Sequence, residues 1–280
     1  MTPTIAIIAA GAMGSAVAAR LTRHGATVLT SLEGRGPKSR ARAEAAGMRH
    51  ADDQRIVDEA SMILSIVPPA EAGALAERFA ARLGAAAHAP IFVDCNAVSV
   101  STMAGIGRSL AGAGARLVDG AIIGLPPKGD EAGPTFYFSG DAAGELRGLS
   151  AYGLDVRLVD GPVGAASALK LSYAGITKGL VAIATAMVLA ADRAGAGPAL
   201  KAELAASQPQ LFARFTRTLP DMYPKAYRWV EEMHAISEFI GEDFAESAIF
   251  IGAAGLYERI AADVDGDRAA CQRIDAFLSD

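Results

Sequence analysis

The sequence predicts an α/β chain, a doubly wound parallel sheet over residues 1–161 followed by an all-α domain over residues 162–280. Three features carry that prediction. The first 160 residues alternate short β-rich runs with helical stretches, the pattern of parallel strands covered by helices on both faces. A Gly11-Ala12-Met13-Gly14 turn directly follows the first run. After Gly161 about thirty residues pass without a strand break, and everything beyond also reads as helix.

In chain order, strands are expected at 4–8, 27–30, 62–67, 91–94, 116–119, 135–139 and 156–159. Several are apolar throughout, as strands buried on both faces are. Helices are expected at 12–23, 39–46, 70–83 and 101–113, each followed by a glycine or alanine-glycine turn suited to a helix end. The pattern changes near residue 161, where the domain boundary is placed. The stretch that follows, taken as one helix, would be roughly 45 to 50 Å long. Its most apolar part, 180–191, is short of the roughly 20 residues that a bilayer requires. The helix is therefore expected to be buried by protein, a second subunit included.

The opening run, IAIIAAGAMGSAVAARL, is neither a secretion signal nor a membrane span by the same reasoning. No basic side chain precedes Arg20, and the apolar run breaks at Gly11 to Ser15. The chain of 280 residues carries 26 basic and 31 acidic side chains, net −5, with no basic block long enough to track a phosphate backbone. Nucleic acid and membrane are accordingly not expected as partners. Cys95 and Cys271 stand far apart and form no metal-ligand spacing with the four histidines, so the chain reads as reduced, cytoplasmic and metal-free. His24, His50 and His88 suggest no role.

A strand running into Gly11-Ala12-Met13-Gly14 and then a helix is the context that a dinucleotide fingerprint requires. The second glycine, Gly11, lets backbone approach a pyrophosphate, and the third, Gly14, lets helix pack on strand. The first place holds Ala9, tolerable only if its backbone avoids positive φ. After the second strand, Glu33 suits a ribose 2′-hydroxyl, whereas Arg35, Lys38, Arg40 and Arg42 suit a 2′-phosphate. NADP is expected, with NAD possible and Arg35 as the contact. The alternative is a set of solvated charges at an ordinary helix start.

Lys170 lies among alanines and leucines, with Tyr173 and Thr177 on nearly the same helical face. Desolvation disfavours an ammonium ion, so this lysine could exchange protons near neutrality, as hydroxyl-to-carbonyl oxidation requires of a base. The alternative is a lysine at the helix edge that reaches water.

Together these motifs resemble the β-hydroxyacid dehydrogenase superfamily, which contains 3-hydroxyisobutyrate and 6-phosphogluconate dehydrogenases and, more distantly, imine reductases. GAMG is similar to the family's cofactor turn. IVPP at 66–69, with Val67 and Pro68, corresponds to the loop passing the adenosine side, and DCNAVS at 94–99 to the loop approaching the nicotinamide. DGAIIG at 119–124 resembles the substrate loop, and GAASALK at 164–170 the start of the catalytic helix. YAGITKG and PKAYRWVEEM look most like a branch with a DUF1932-type C-terminal domain.

The resemblance implies a Rossmann-type domain, a helical domain opened by a long interdomain helix, and a homodimer in which each helical domain completes its partner's site. It gives Lys170 the place of the general acid/base and sets Asn96 near the nicotinamide or the substrate. Two positions depart from the pattern. Ile123 stands where the family has serine, beside Gly124, and Ala174 stands where it has asparagine, with Tyr173 as a possible substitute donor. Trp229, Glu232, Met233 and His234 fall where relatives close the pocket. Lys225, Tyr227 and Arg228 suit an anionic group or, alternatively, a dimer surface.

The expectation is an NADP-preferring oxidoreductase acting on a small, β-hydroxy acid-like substrate. An imine reductase and a dinucleotide-binding dimer without turnover are the alternatives.

Overall fold

The computed structural model describes residues 2–86, 88–96, 98–129 and 131–279, the side chain of Val100 excepted. The chain divides into two compact units, Met1–Lys170 and Leu171–Asp280. That division falls inside a helix rather than at residue 161, because hydrogen bonds from the sheet hold the first turns of the helix.

The first unit runs β1 (Thr4–Ile8), α1 (Ala12–Arg23), β2 (Thr27–Thr30), α2 (Pro37–Ala45), β3 (Arg49–His50), α3 (Asp53–Glu59), β4 (Met62–Ser65), α4 (Ala72–Ala85), β5 (Ile91–Asp94) and α5 (Val100–Gly112). It continues through β6 (Leu117–Ile123), β7 (Thr135–Ser139), β8 (Asp155–Leu158) and the start of α6 (Ala165–Arg193). The strands form one sheet in the order β3-β2-β1-β4-β5-β6-β7-β8. From β3 to β6 every pairing is parallel, so the turns after β1, β2, β4 and β5 gather at one edge.

The all-parallel expectation fails at β7, which pairs antiparallel with β6, while β8 runs parallel to β7. Residues 124–134 between β6 and β7 are too few for a crossover, so the chain returns as a hairpin. Pairing with β7 also extends β6 to Ile123, which makes most of DGAIIG strand instead of loop. Arg20 of α1 secures the hairpin connection, its buried guanidinium donating to the carbonyls of Gly129 and Glu131.

Strand alternation builds a core on each face of the sheet. Ile5, Ile7, Leu64, Val93 and Val118 pack with Val17 and Leu21 of α1. Ala6, Ile8, Ile63 and Phe92 pack on the other face with Phe79 of α4 and Ile106 and Leu110 of α5.

The second unit contains the rest of α6, then α7 (Gly197–Ser207), α8 (Pro209–Met222), α9 (Ala226–Ile240), α10 (Ser247–Asp265) and α11 (Ala269–Leu278). Its core includes Leu171, Val181, Val188, Leu219, Met233, Tyr257 and Cys271. Tyr257, fully buried, donates its hydroxyl to the Lys178 carbonyl at 2.5 Å and meets the Trp229 ring edge-on at 5.2 Å. By length and composition α6 could cross a membrane, yet one of its faces packs into this core. The opposite face leaves Tyr173, Ile176, Ile183 and Met187 exposed at helical spacing.

Candidate active site

The turn after β1 meets the geometric demands of a dinucleotide site. A Cβ on Gly14 would run into the Ala9 carbonyl, so close packing of helix on strand requires glycine there. Gly11 caps α1 with φ −73°, and a Cβ on it would meet no protein atom within 4 Å. Neither conformation nor packing requires that glycine, and the space a side chain would fill opens over the helix N-terminus. No side chain caps α1 there and its first turn holds no acid, which leaves amide donors and the helix dipole for an anionic group. Ala12 is exposed, and Met13 packs partly into the core beneath. Ala9 avoids positive φ, the condition under which alanine replaces the first glycine.

Beyond β2, the four basic residues separate into different roles. Arg40 donates to the carbonyls of Arg35 at 3.0 Å and Leu32 at 2.7 Å, bracing the loop. Lys38 and Arg42 are exposed on α2. Arg35 is half-buried and faces Glu71, on the turn after β4, at 3.7 Å. Glu33 is exposed.

Across the middle of the sheet, Ser65, Asp94, Asp119 and Ser139 stand in one register row on four adjacent strands, and all four are fully buried. Directly paired residues face the same side, so the row projects as a unit. Asn96, just past β5, donates its side-chain amide to Ser65 Oγ at 2.7 Å and Asp94 Oδ2 at 2.8 Å. Its oxygen accepts the Val67 N–H at 2.7 Å, and its own N–H reaches Asp94 Oδ1 at 3.0 Å. Both side-chain donors are therefore committed within the protein. Asn96, expected near the nicotinamide or the substrate, ties the loops after β4 and β5 together. Val67 turns its side chain into the core, and Pro68 is exposed. Burial raises the Asp94 carboxyl to about 6, against the opposing effect of the Asn96 hydrogen bonds.

Asp119 fastens α6 to the sheet. Its carboxylate accepts the N–H groups of Gly164 at 3.1 Å and Ser167 at 2.8 Å, and the hydroxyls of Ser167 at 2.6 Å and Ser139 at 3.2 Å. Ser139 also accepts the Ala166 N–H at 3.0 Å. The orphan amides at the helix start are thus met by groups distant in sequence. Gly120 lets β6 lie close under Cys95, whose Sγ would be 2.9 Å from a Cβ there.

One turn along the helix, Lys170 is partly enclosed. Burial lowers its ammonium pKa, while Cys95, Asp94 and Asp119 act in the opposite direction. Cys95, itself buried, has its thiol pushed well upward by desolvation. Ile123 ends β6 half-buried, and Gly124 has φ +131° and would drive a Cβ into Pro134, so that glycine serves the hairpin. Among the described residues no group of three or more His, Cys, Asp or Glu is placed to hold a metal.

The remaining candidates belong to the helical unit. Tyr173 is 53% exposed, and Ala174 packs partly on the helical core. Trp229 lies between Tyr257 and the Lys178 ammonium, which sits 5.1 Å above its ring and pairs with Glu232. Met233, expected where relatives close the pocket, is fully buried in the helical core on the inward face of α9. His234 and Arg228 are exposed, Tyr227 is 64% exposed, and Lys225 pairs with Asp221 at 2.7 Å.

Residues 4–97 match the family model described as NADP oxidoreductase, coenzyme F420-dependent, and residues 191–260 match the domain of unknown function DUF1932. A solved conserved protein of unknown function, MTH1747, described as structurally similar to 3-hydroxyacid dehydrogenases, superposes with a TM-score of 0.80. It is 24% identical, over 97% of this chain and 99% of that one. The chain thus shares its fold with a protein described as similar to 3-hydroxyacid dehydrogenases, and its C-terminal part carries the DUF1932 match. The chain is also similar to Mycobacterium tuberculosis 3-hydroxyisobutyrate dehydrogenase, solved with L-serine. That structure has a TM-score of 0.75 at 19% identity, over 94% and 95% of the two chains. An imine reductase variant from Myxococcus stipitatus in complex with NAD+ gives 0.60 at 22% identity, covering all of both chains. No curated protein matches the sequence significantly. The chain shares the fold of these dehydrogenases and reductases.

Reading the sequence alone missed two residues that organise the site, Asp119 and Ser139. Both are polar residues in apolar strands, which was the available signal, but their partners lie 27 to 48 positions away.

Proposed function

We propose that this chain is an NADP-preferring oxidoreductase that moves hydride between the cofactor and a hydroxyl/carbonyl carbon of a small substrate, with Lys170 as the proton carrier. The observation that carries the reading is a lysine that burial pushes toward neutrality, beside Asp94 and Asp119 in the unit that holds the Gly11 turn. Bound nicotinamide supplies the hydride donor or acceptor. In alcohol oxidation the neutral Nζ of Lys170 takes the hydroxyl proton as hydride leaves the same carbon. In carbonyl reduction the ammonium returns it. Ile123 in place of a hydroxyl-bearing residue favours a less polar pocket than an acid-specific enzyme has.

Arg35 supports the NADP preference, since it alone of the four basic residues is near the cofactor loop after β4 and free of loop bracing. In fluorescence titrations NADPH should bind more tightly than NADH, and Arg35→Ala should erase most of the difference. Turnover across hydroxy acids, aldehydes and imines then tests the chemistry, and Lys170→Met should abolish alcohol oxidation. Tight cofactor binding without turnover of any substrate would favour a dinucleotide-binding dimer.

A second reading, imine reduction, is favoured by the exposed Tyr173 hydroxyl together with the fold shared with imine reductases. Imine turnover that survives Lys170→Met would select it.

The exposed face of α6 supports a homodimer with shared sites. Four large apolar side chains at helical spacing form a patch of the kind that marks an interface. The chain should sediment as a dimer, and Ile176→Glu with Ile183→Glu should yield monomers.

A further inference from the structure

We infer that Asp119 is the positioning residue for Lys170, docking the first turn of α6 on the sheet and fixing a negative charge beneath the amine. The inference rests on the proposed role of Lys170 and goes beyond it by naming the group that fixes the lysine's place and charge.

The carboxylate is fully buried and has four donors at 2.6 to 3.2 Å, two of them on Ser167 in the first turn of α6 and a third on Gly164 just before it. A strand residue without torsional freedom beyond two side-chain angles thereby fixes the height and rotation of that turn. Ser139, next in the register row, adds the Ala166 bond and so repeats the attachment. A helix capped only by its own sequence would fray over its first residues, where a proton carrier must be held. Three groups act electrostatically on the amine: Asp94 and Cys95 at the end of β5, and Asp119 on β6. Only Asp119 is also hydrogen-bonded to the first turn of the helix that carries the lysine. One side chain therefore holds the turn in position and also adds to the potential at the amine, alongside Cys95 and Asp94.

The two effects separate in two substitutions. Asp119→Asn keeps the shape and removes the charge, so the pH midpoint of kcat/KM assigned to Lys170 should fall by about one unit. The direction is the same whether the neutral amine acts as base or the ammonium as acid. Asp119→Glu keeps the charge and displaces the docked turn, so kcat should fall at least tenfold with the midpoint nearly unchanged. The 13Cε shift of Lys170 in lysine-labelled protein, followed against pH, reads the same midpoint without turnover.

An unmoved Lys170 midpoint in folded Asp119→Asn overturns the inference, as does full kcat in Asp119→Glu. If Asp119→Asn does not fold, the Glu variant alone decides. Failure of the underlying reading looks different: Lys170→Met would then turn over at the wild-type rate, while the 13Cε titration would still report whether Asp119 acts on the amine.

Discussion

The side-chain oxygen of Asn96 accepts the backbone N–H of Val67 at 2.7 Å, which joins the end of β4 to the end of β5. With its two donated bonds to Ser65 and Asp94, this amide holds together the two loops that border the proposed cofactor site. Asn96→Ala should destabilise the fold by about 2 to 4 kcal/mol, since it strands buried polar groups. Urea denaturation measures that loss, and NADPH affinity should weaken in parallel.

Gly11 and Gly14 should respond oppositely to alanine. At Gly14 the new Cβ meets the Ala9 backbone, which cannot rotate away, so Gly14→Ala should cost about 1 to 3 kcal/mol of stability. At Gly11 it meets no protein atom, and the stability change should stay below about 1 kcal/mol. Dinucleotide affinity should nevertheless fall at least tenfold in Gly11→Ala. Unchanged affinity in that variant would move the pyrophosphate elsewhere.

Asp94 should make stability fall as pH rises through mild acid. Its carboxyl moves from an ordinary 3.8 to about 6 on folding, so the native state holds the proton more tightly than the unfolded chain. The favourable contribution is complete below about pH 4 and is lost as pH climbs to and past 6. At most it amounts to about 3 kcal/mol. Asp94→Asn should flatten this part of a stability-against-pH curve measured by urea unfolding.

Met233→Ala should open a cavity in the helical core and cost about 2 to 5 kcal/mol. Dinucleotide affinity should not change. A raised KM for substrate with unaltered stability would return this side chain to the pocket.

Much of the first unit is legible in sequence because its signals are local. The strand–Gly11–Gly14–helix succession and the run into Ser65 each announce themselves within a few residues. The hairpin between Ile123 and Thr135 could also have been read, since its link is too short for a crossover. Strand β3 has only two residues, Arg49 and His50, both exposed, and so carries no apolar signature. Asp119 resisted reading because it caps a helix that begins far along the chain, where no local capping box marks it. The burial of Met233 was legible in the spacing of α9, where Ala226, Met233 and Ser237 share one face and are all buried.

The shared level of Ser65, Asp94, Asp119 and Ser139 limits how this chain can be edited. Side chains along a strand alternate between the two faces, so deleting one residue early in β5 would swing its terminal acid to the opposite face, among Leu64 and Val118. Loop grafts at the outer turns would leave the alignment alone. Engineers seeking new specificity should therefore vary connections and leave strand lengths from Met62 to Ser139 untouched.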